Sequence, residues 1–246
     1  MTVRTRAAVV LAAFTIAGWL QRGTAPCQQS PAIKRVAQPD QAAIIRQIDA
    51  AVAARVDHIL TFTDVEHYSV YRGGDETHPA AEMTVRDSFK KGVGKDYTVL
   101  SESGSSLILR FGLKPLIENE KTINQPGNWE KSWFTSVNYD MKLKSGAVER
   151  LNGRDCYAVA IMPRGEAPNL IIGTIWVDAK DGTLVRVEGV SSKSPSAFAG
   201  TTHVMRQYSN IDGYSMAMHA RAQSNSMLFG QTVVTVDYSN YQLQLK

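Results

Sequence analysis

The sequence predicts an α+β fold: a curled antiparallel sheet forming an unclosed β-barrel, covered by helices. Three observations predict it. From residue 62 onward, apolar residues recur with a period of two through many separate runs. Pairs of turn-forming residues separate those runs. Only two segments, near 40–59 and 105–121, carry helical spacing, and no strand–helix–strand alternation calls for a parallel doubly wound sheet.

Asp40 opens the first helix. Its carboxylate suits an N-cap and the positive end of the helix dipole, and Ala43, Ile44, Ile48, Ala51, Val52 and Val56 then recur at helical spacing through about Ile59. The strands come next. Met83, Val85 and Phe89 alternate with Glu82, Thr84, Arg86 and Ser88. Tyr139, Met141 and Leu143 alternate with Asn138, Asp140, Lys142 and Lys144. Late in the chain, Tyr214, Met216, Met218, Ala220 and Ala222 share one strand face, as do Val234, Val236 and Tyr238 on another strand. Gly73-Gly74, Asn152-Gly153, Asp181-Gly182 and Asp212-Gly213 mark hairpins.

One segment interrupts the sheet. Leu109, Leu113, Leu116 and Ile117 fall on one face of a helix at about 105–121, and Gly112 and Pro115 are expected to kink it. A loop over 124–128 leads to Trp129, Trp133 and Phe134. The plan is helix, three strands, kinked helix, then about seven more strands. Long strands and their right-handed twist favour a curled sheet whose concave face the helices cover.

The chain begins with Arg4 and Arg6, followed by an apolar run from Ala7 to Leu20. A basic start, a short apolar core and a polar tail read as a secretory signal peptide over 1–27, since a membrane span needs about 20 apolar residues. Residues 28–39 read as a flexible leader, and 40–246 as a single folded domain. Export places the protein in the periplasm. Pro26 before Cys27 is a poor fit to a lipidation signal, so lipid anchoring at Cys27 is not expected. Cys156 sits in an apolar run and reads as a small buried residue, while a Cys27–Cys156 disulfide stays open.

Composition excludes several classes. With 43% hydrophobic and 20% charged residues, the chain is an ordinary globular mixture rather than a disordered one. The net charge is +4, but Arg4, Arg6 and Arg22 lie in the leader with no acid beside them. The remaining chain is close to neutral and offers no electrostatic footprint for nucleic acid.

Catalytic motifs are missing. Gly92-Val93-Gly94-Lys95 has the wrong glycine spacing for a phosphate loop, and Asp96 stands where Ser or Thr is needed. There is no G-x-S-x-G elbow and no C-x-x-C or H-x-x-x-H pair. Asp64 and Glu66 share a strand face while His67 points the other way, which reads as a solvated face rather than a metal site. The reading is of a non-enzyme without metal or cofactor. What is left is apolar chemistry: Met205, Met216, Met218 and Phe229 late in the chain, with Trp133, Phe134 and Trp176. These residues suit an ordinary core or a groove for varied apolar ligands. The export segment, the curled-sheet plan and the missing catalytic motifs favour the groove.

Several stretches also carry a family resemblance. Leu151-Asn-Gly-Arg-Asp-Cys-Tyr157, Gly173-Thr-Ile-Trp-Val-Asp178, Leu184-Val-Arg-Val-Glu-Gly189 and Ser192-Lys-Ser-Pro-Ser196 resemble bacterial outer-membrane lipoprotein-sorting proteins of the LolA-like and LolB-like superfamily. Tyr208-Ser-Asn-Ile-Asp-Gly213 and Val234-Thr-Val-Asp-Tyr238 fit the same pattern, and the resemblance runs over about 40–245 as a divergent branch. It implies a half-barrel domain whose hydrophobic cavity holds lipid or lipoprotein acyl chains on their way to the outer membrane. It also implies inner- or outer-membrane envelope proteins as partners. Leu109, Leu113 and Leu116 would then line the underside of a lid. The family's cavity arginine has only positional candidates, Arg72 and Arg110. The competing expectation is an envelope sensor or regulatory protein of the same fold that binds a protein partner.

Overall fold

A computed structural model describes residues 39–167, 169–193, 201–226 and 230–246, which lie in one compact unit, Gln38–Lys246. Helix α1 spans Gln41–His58, and the Asp40 carboxylate accepts the Ala42 N–H at 2.9 Å, as an N-cap should. Strands β1 (Ile59–Arg72), β2 (Ala81–Lys90) and β3 (Gly94–Gly104) follow as a meander. A helix then runs over 106–123, here named the cover helix. After the 3-10 turn Trp129–Ser132 come β4 (Tyr139–Leu143), β5 (Glu149–Leu151), β6 (Arg154–Pro163), β7 (Ile171–Asp178), β8 (Leu184–Ser191), β9 (Thr202–Ile211), β10 (Tyr214–Ser226) and β11 (Gly230–Leu245).

The strands form one antiparallel sheet in the order β3-β2-β1-β11-β10-β9-β8-β7-β6-β4, with β5 paired to β6. Its two ends, β3 and β4, do not pair with each other, so the sheet is unclosed. The return of β11 to lie beside β1 joins the first meander to the second. The hairpin turns fall where the sequence marks them. Asn152 and Gly153, and likewise Asp212 and Gly213, all take positive φ, the two-residue geometry that matches strand twist.

The cover helix is interrupted as its sequence requires, but by a π-helical turn. Leu109–Leu113 is π-helical, and the Lys114 N–H reaches back five residues to the Leu109 carbonyl. The wider turn precedes Pro115, which lacks an N–H and sits in the first turn of the α-helical segment Lys114–Ile123.

Register shows that both helices cover the same face. Directly opposed residues share a face, and one row crosses the sheet through Met83, Tyr68, Val236, Ala220, Arg206, Val187, Ile175, Val159 and Leu143. Ile44 and Ile48 of α1 pack on the β6–β9 part of this face, against Val159, Ile175, Val177 and Val187. Leu109, Leu113 and Ile117 of the cover helix pack on the β1, β2, β10 and β11 part. A third cluster of Ile59, Phe62, Phe89 and Met216, with Trp129 against it, adjoins the cover-helix cluster through Tyr241. Asp49 ties α1 to the segment before β4 by accepting the Ser136 N–H and Oγ–H at 2.8 and 2.6 Å. No helix of the described residues is long and apolar enough to cross a membrane.

Candidate functional site

Beneath the cover helix the face is apolar and aromatic. Tyr68, Val70, Ala81, Met83, Val85, Ala220, Val236 and Tyr238 are all buried there, and three helix side chains, Leu109, Leu113 and Ile117, close over them. The outer side of the helix is also apolar in part: Leu107 and Phe111 are exposed, one helical turn apart. The helix is held at its rim by charge as well. Lys114 lies 3.0 Å from Glu102, and Lys121 2.7 Å from Asp96.

A charged cluster interrupts this apolar face. Asp64 and Glu66 point inward from β1, and Asp87, the cross-strand partner of Asp64, points inward from β2. They are 2%, 0% and 0% exposed, so this strand face is buried rather than solvated. The alternation explains it: Phe62, Asp64, Glu66, Tyr68 and Val70 have one parity, and so do Met83, Val85, Asp87 and Phe89. Lys95 on β3 reaches into the cluster, 2.5 Å from Asp87 Oδ2 and 3.3 Å from Glu66 Oε1. Tyr68 donates its hydroxyl to the other Glu66 oxygen. Both Asp64 oxygens lack a hydrogen-bond donor among the described residues, and neither Asp87 oxygen receives a directed hydrogen bond despite the close ammonium.

Electrostatics follow from that burial. Desolvation pushes Asp64 up to about 8, with Glu66 and Asp87 adding to the shift and Lys95 opposing it. Burial raises Glu66 and Asp87 as well. For Lys95, burial works against the charge, but Glu66, Tyr97, Asp87 and Glu120 more than offset it and hold the amine protonated. An oxygen of each of Asp64, Glu66 and Asp87 lies within 4.8 Å of the others. A divalent ion could bridge that spacing, but the Lys95 ammonium already supplies the positive charge there.

The cluster continues to the cover helix. Lys95 Nζ donates to the Tyr97 hydroxyl at 3.4 Å, and Tyr97 donates to Glu120 Oε2 at 3.1 Å. Arg206 is the one charged residue in the central row, between Val187 and Ala220. Arg72 and Arg110, the positional candidates for a cavity arginine, are both exposed, and Arg110 lies over the Phe111 ring. Register thus places Arg206 on the concave face.

The residues that the sequence groups as a ligand surface are separated by the structure. Met216 is buried in the third cluster with Phe62 and Phe89. Trp133 packs edge-on to Trp129 at 5.1 Å between ring centroids, and Phe134 lies against Tyr139 in the α1 cluster. Met218 is half-buried at a bulge of β10. Trp176 and Met205 lie on the opposite face of the sheet from the helices. There they line a groove of about 390 Å³ with Ile172, Val190, His203 and Arg221. Phe229 lies outside the described residues. Of the three lid leucines, Leu109 and Leu113 are buried and Leu116 is 36% exposed, with Ile117 taking the inward position. A void of about 20 Å³ lies at the end of α1, bordered by Arg55, Ile59, Phe62, Phe89 and Trp129.

Sequence reasoning missed Asp87, Lys95, Glu120 and Arg206 as members of one site. The available signal was a charged residue at an apolar parity, visible at Asp64, Glu66 and Asp87. Lys95 carries no such signal, because it stands next to two turn glycines, Gly92 and Gly94, and reads as part of the turn.

The geometry defines the protein's class as an α+β half-barrel with a helix-covered concave face. No family model matches the chain, and no curated protein matches it. Among solved structures, the chain is similar to one described as an outer-membrane lipoprotein-sorting protein domain from Vibrio parahaemolyticus. The TM-score is 0.45 at 14% identity, over 81% of this chain and 92% of that one. It is also similar to a LolA superfamily protein from Nitrosomonas europaea, with a TM-score of 0.43 at 13% identity over 82% and 93% of the two chains. A DUF1329 family protein from Desulfovibrio piger gives 0.42 at 16% identity, again over 82% and 93%. Two of these carry the family description that the sequence resemblance names. Similarity at this level transfers no activity or partner from one chain to the other.

Proposed function

We propose that the protein is an exported, periplasmic carrier that shelters the acyl chains of a lipid or lipoprotein between the cover helix and the concave face. The observation that supports this most is the closure itself. An extended apolar and aromatic wall is covered by a helix that meets it through Leu109, Leu113 and Ile117, with Ile108 packed beside them, and is broken by a π-helical turn. Each acyl methylene left in water costs about 0.8 kcal/mol, so a carrier must enclose its cargo. It must also open, and a short apolar contact beside a buried charge cluster gives a cover of low local stability. Leu109, Leu113 and Ile117 are buried against the wall, so an acyl chain that takes their place would enter by displacing the helix.

The test is uptake and release of a fluorescent acyl probe by the purified protein. Replacing Gly112 and Pro115 together by Ala should slow probe release several-fold, because it removes about 1 kcal/mol of helix penalty at Gly112 and the proline interruption as well. A Cβ at Gly112 would meet only Ile108 Cγ2, at 3.6 Å, so the change fits without strain. Release at the wild-type rate would count against the cover helix as the gate. A protein that takes up no probe at all would count against the carrier.

A further inference from the structure

We propose that Asp64 and Asp87 hold one proton between them as a latch, and that losing this proton loosens the cover helix from the concave face. It rests on the carrier reading only in its purpose, since the helix released is the one that would admit the acyl chain.

The geometry carries the latch. Asp64 and Asp87 are directly opposed on β1 and β2 and are both buried. An oxygen of each lies within 4.8 Å of one on the other, and no hydrogen-bond donor among the described residues reaches either Asp64 oxygen, so a shared proton is the group that can join them. Among the described residues, the charged and titratable groups coupled to them form a network, and Arg55 of α1, buried beside Phe62 and Phe89, borders it through Tyr241. Glu66 and Tyr68 come from β1, Lys95 and Tyr97 from β3, Tyr238 and Tyr241 from β11, and Glu120 from the cover helix. Arg206 of β9 faces Glu120 and Tyr238 at the far side. Within contact distance, the Lys95 ammonium reaches Glu66 and Asp87 and leaves both Asp64 oxygens without a donor among the described residues. The same ammonium leads through Tyr97 to Glu120 on the helix. If Asp64 ionises, the cluster gains a second uncompensated negative charge in a buried place, next to a helix whose own inward charge is negative. Burial and like charge both then favour the arrangement in which the helix lifts and water enters.

The sign of the pH effect is fixed by where Asp64 binds its proton more tightly. In the closed form burial holds it near 8, against an ordinary value of 3.8 once hydrated. Closure is therefore favoured most at acid pH. Its advantage shrinks as pH rises from about 4 to about 8 and is constant above that.

The experiment is hydrogen exchange followed by mass spectrometry at pH 5, 7 and 9, expressed as protection factors so that intrinsic exchange cancels. Protection of the cover-helix amides over 106–123 should fall by about tenfold or more between pH 5 and pH 9, while that of α1 stays within about threefold. The variant D64N keeps a neutral side chain that can still donate to Asp87, and should hold the helix protected at pH 9. Should D64N not fold, E120Q removes the repelled charge from the helix and should at least halve the pH effect on a logarithmic scale. Equal protection at all three pH values, a parallel loss in α1, or a pH response that survives both substitutions would overturn the latch. Acyl-probe uptake in the same samples separates the two ideas. Falling helix protection in a protein that takes no probe leaves the latch standing without the carrier. Probe uptake with pH-independent protection removes the latch and leaves the carrier.

Discussion

Replacing Lys95 by Met is expected to cost the fold about 3–5 kcal/mol at neutral pH, the cost of leaving buried carboxylates without their counter-charge. The ammonium lies 2.5 Å from Asp87 and 3.3 Å from Glu66, and both carboxyls are 0% exposed. Methionine fills much of the same volume, so the loss would be electrostatic rather than a cavity. The same reasoning fixes its pH dependence. Protonating the three carboxyls removes the need for a counter-ion, so the variant should recover much of its stability near pH 5. Urea unfolding at pH 8 and pH 5 would check both parts. A loss below about 1 kcal/mol at pH 8 would mean that the cluster is kept neutral by protons alone.

A backbone effect of similar size is expected at Gly173 and Gly189. These residues oppose each other on β7 and β8. A Cβ added at Gly173 would lie 2.1 Å from the Glu188 carbonyl oxygen and 2.6 Å from Gly189 Cα. At Gly189 it would lie 2.2 Å from the Ile172 carbonyl oxygen. Every one of those atoms is backbone, so no change of rotamer relieves the clash, and the two strands would have to part. Gly173→Ala or Gly189→Ala should each destabilise by about 3 kcal/mol or more, at the upper end for overpacking. The midpoint of urea unfolding reads it directly. Wild-type stability in either variant would show that β7 and β8 can separate at no cost.

The fold was legible where side-chain period and turn chemistry agree. Asp40 caps its helix, the Asn-Gly and Asp-Gly pairs turn the hairpins, and the apolar parity of Met83, Val85 and Phe89 points inward. The cover helix was legible from Leu109, Leu113 and Ile117, but the device that interrupts it is a π-turn. Sequence alone cannot choose between that and a proline kink, because both relieve the same missing N–H. The site was less legible. Trp176 and Met205 have the composition of a ligand surface but the parity of the convex face, opposite to Ile175, Val187 and Arg206. Composition says which residues like apolar contacts, whereas register says which of them meet. Asp64, Glu66 and Asp87 carried the reverse signal, polar residues at inward parity, and their partner Lys95 comes from a neighbouring strand that only the fold brings beside them.

Photo-crosslinking would show whether acyl chains are held between the cover helix and the concave face. A fatty acid carrying a photoreactive group near its methyl end would be bound to the purified protein, activated, and the labelled peptides mapped by mass spectrometry. The carrier reading predicts label on the cover helix near Leu109 and Leu113, and on the strands facing it near Tyr68, Met83 and Val236. Label confined to the convex groove around Trp176 and Met205, or no label above an unfolded control, would contradict it.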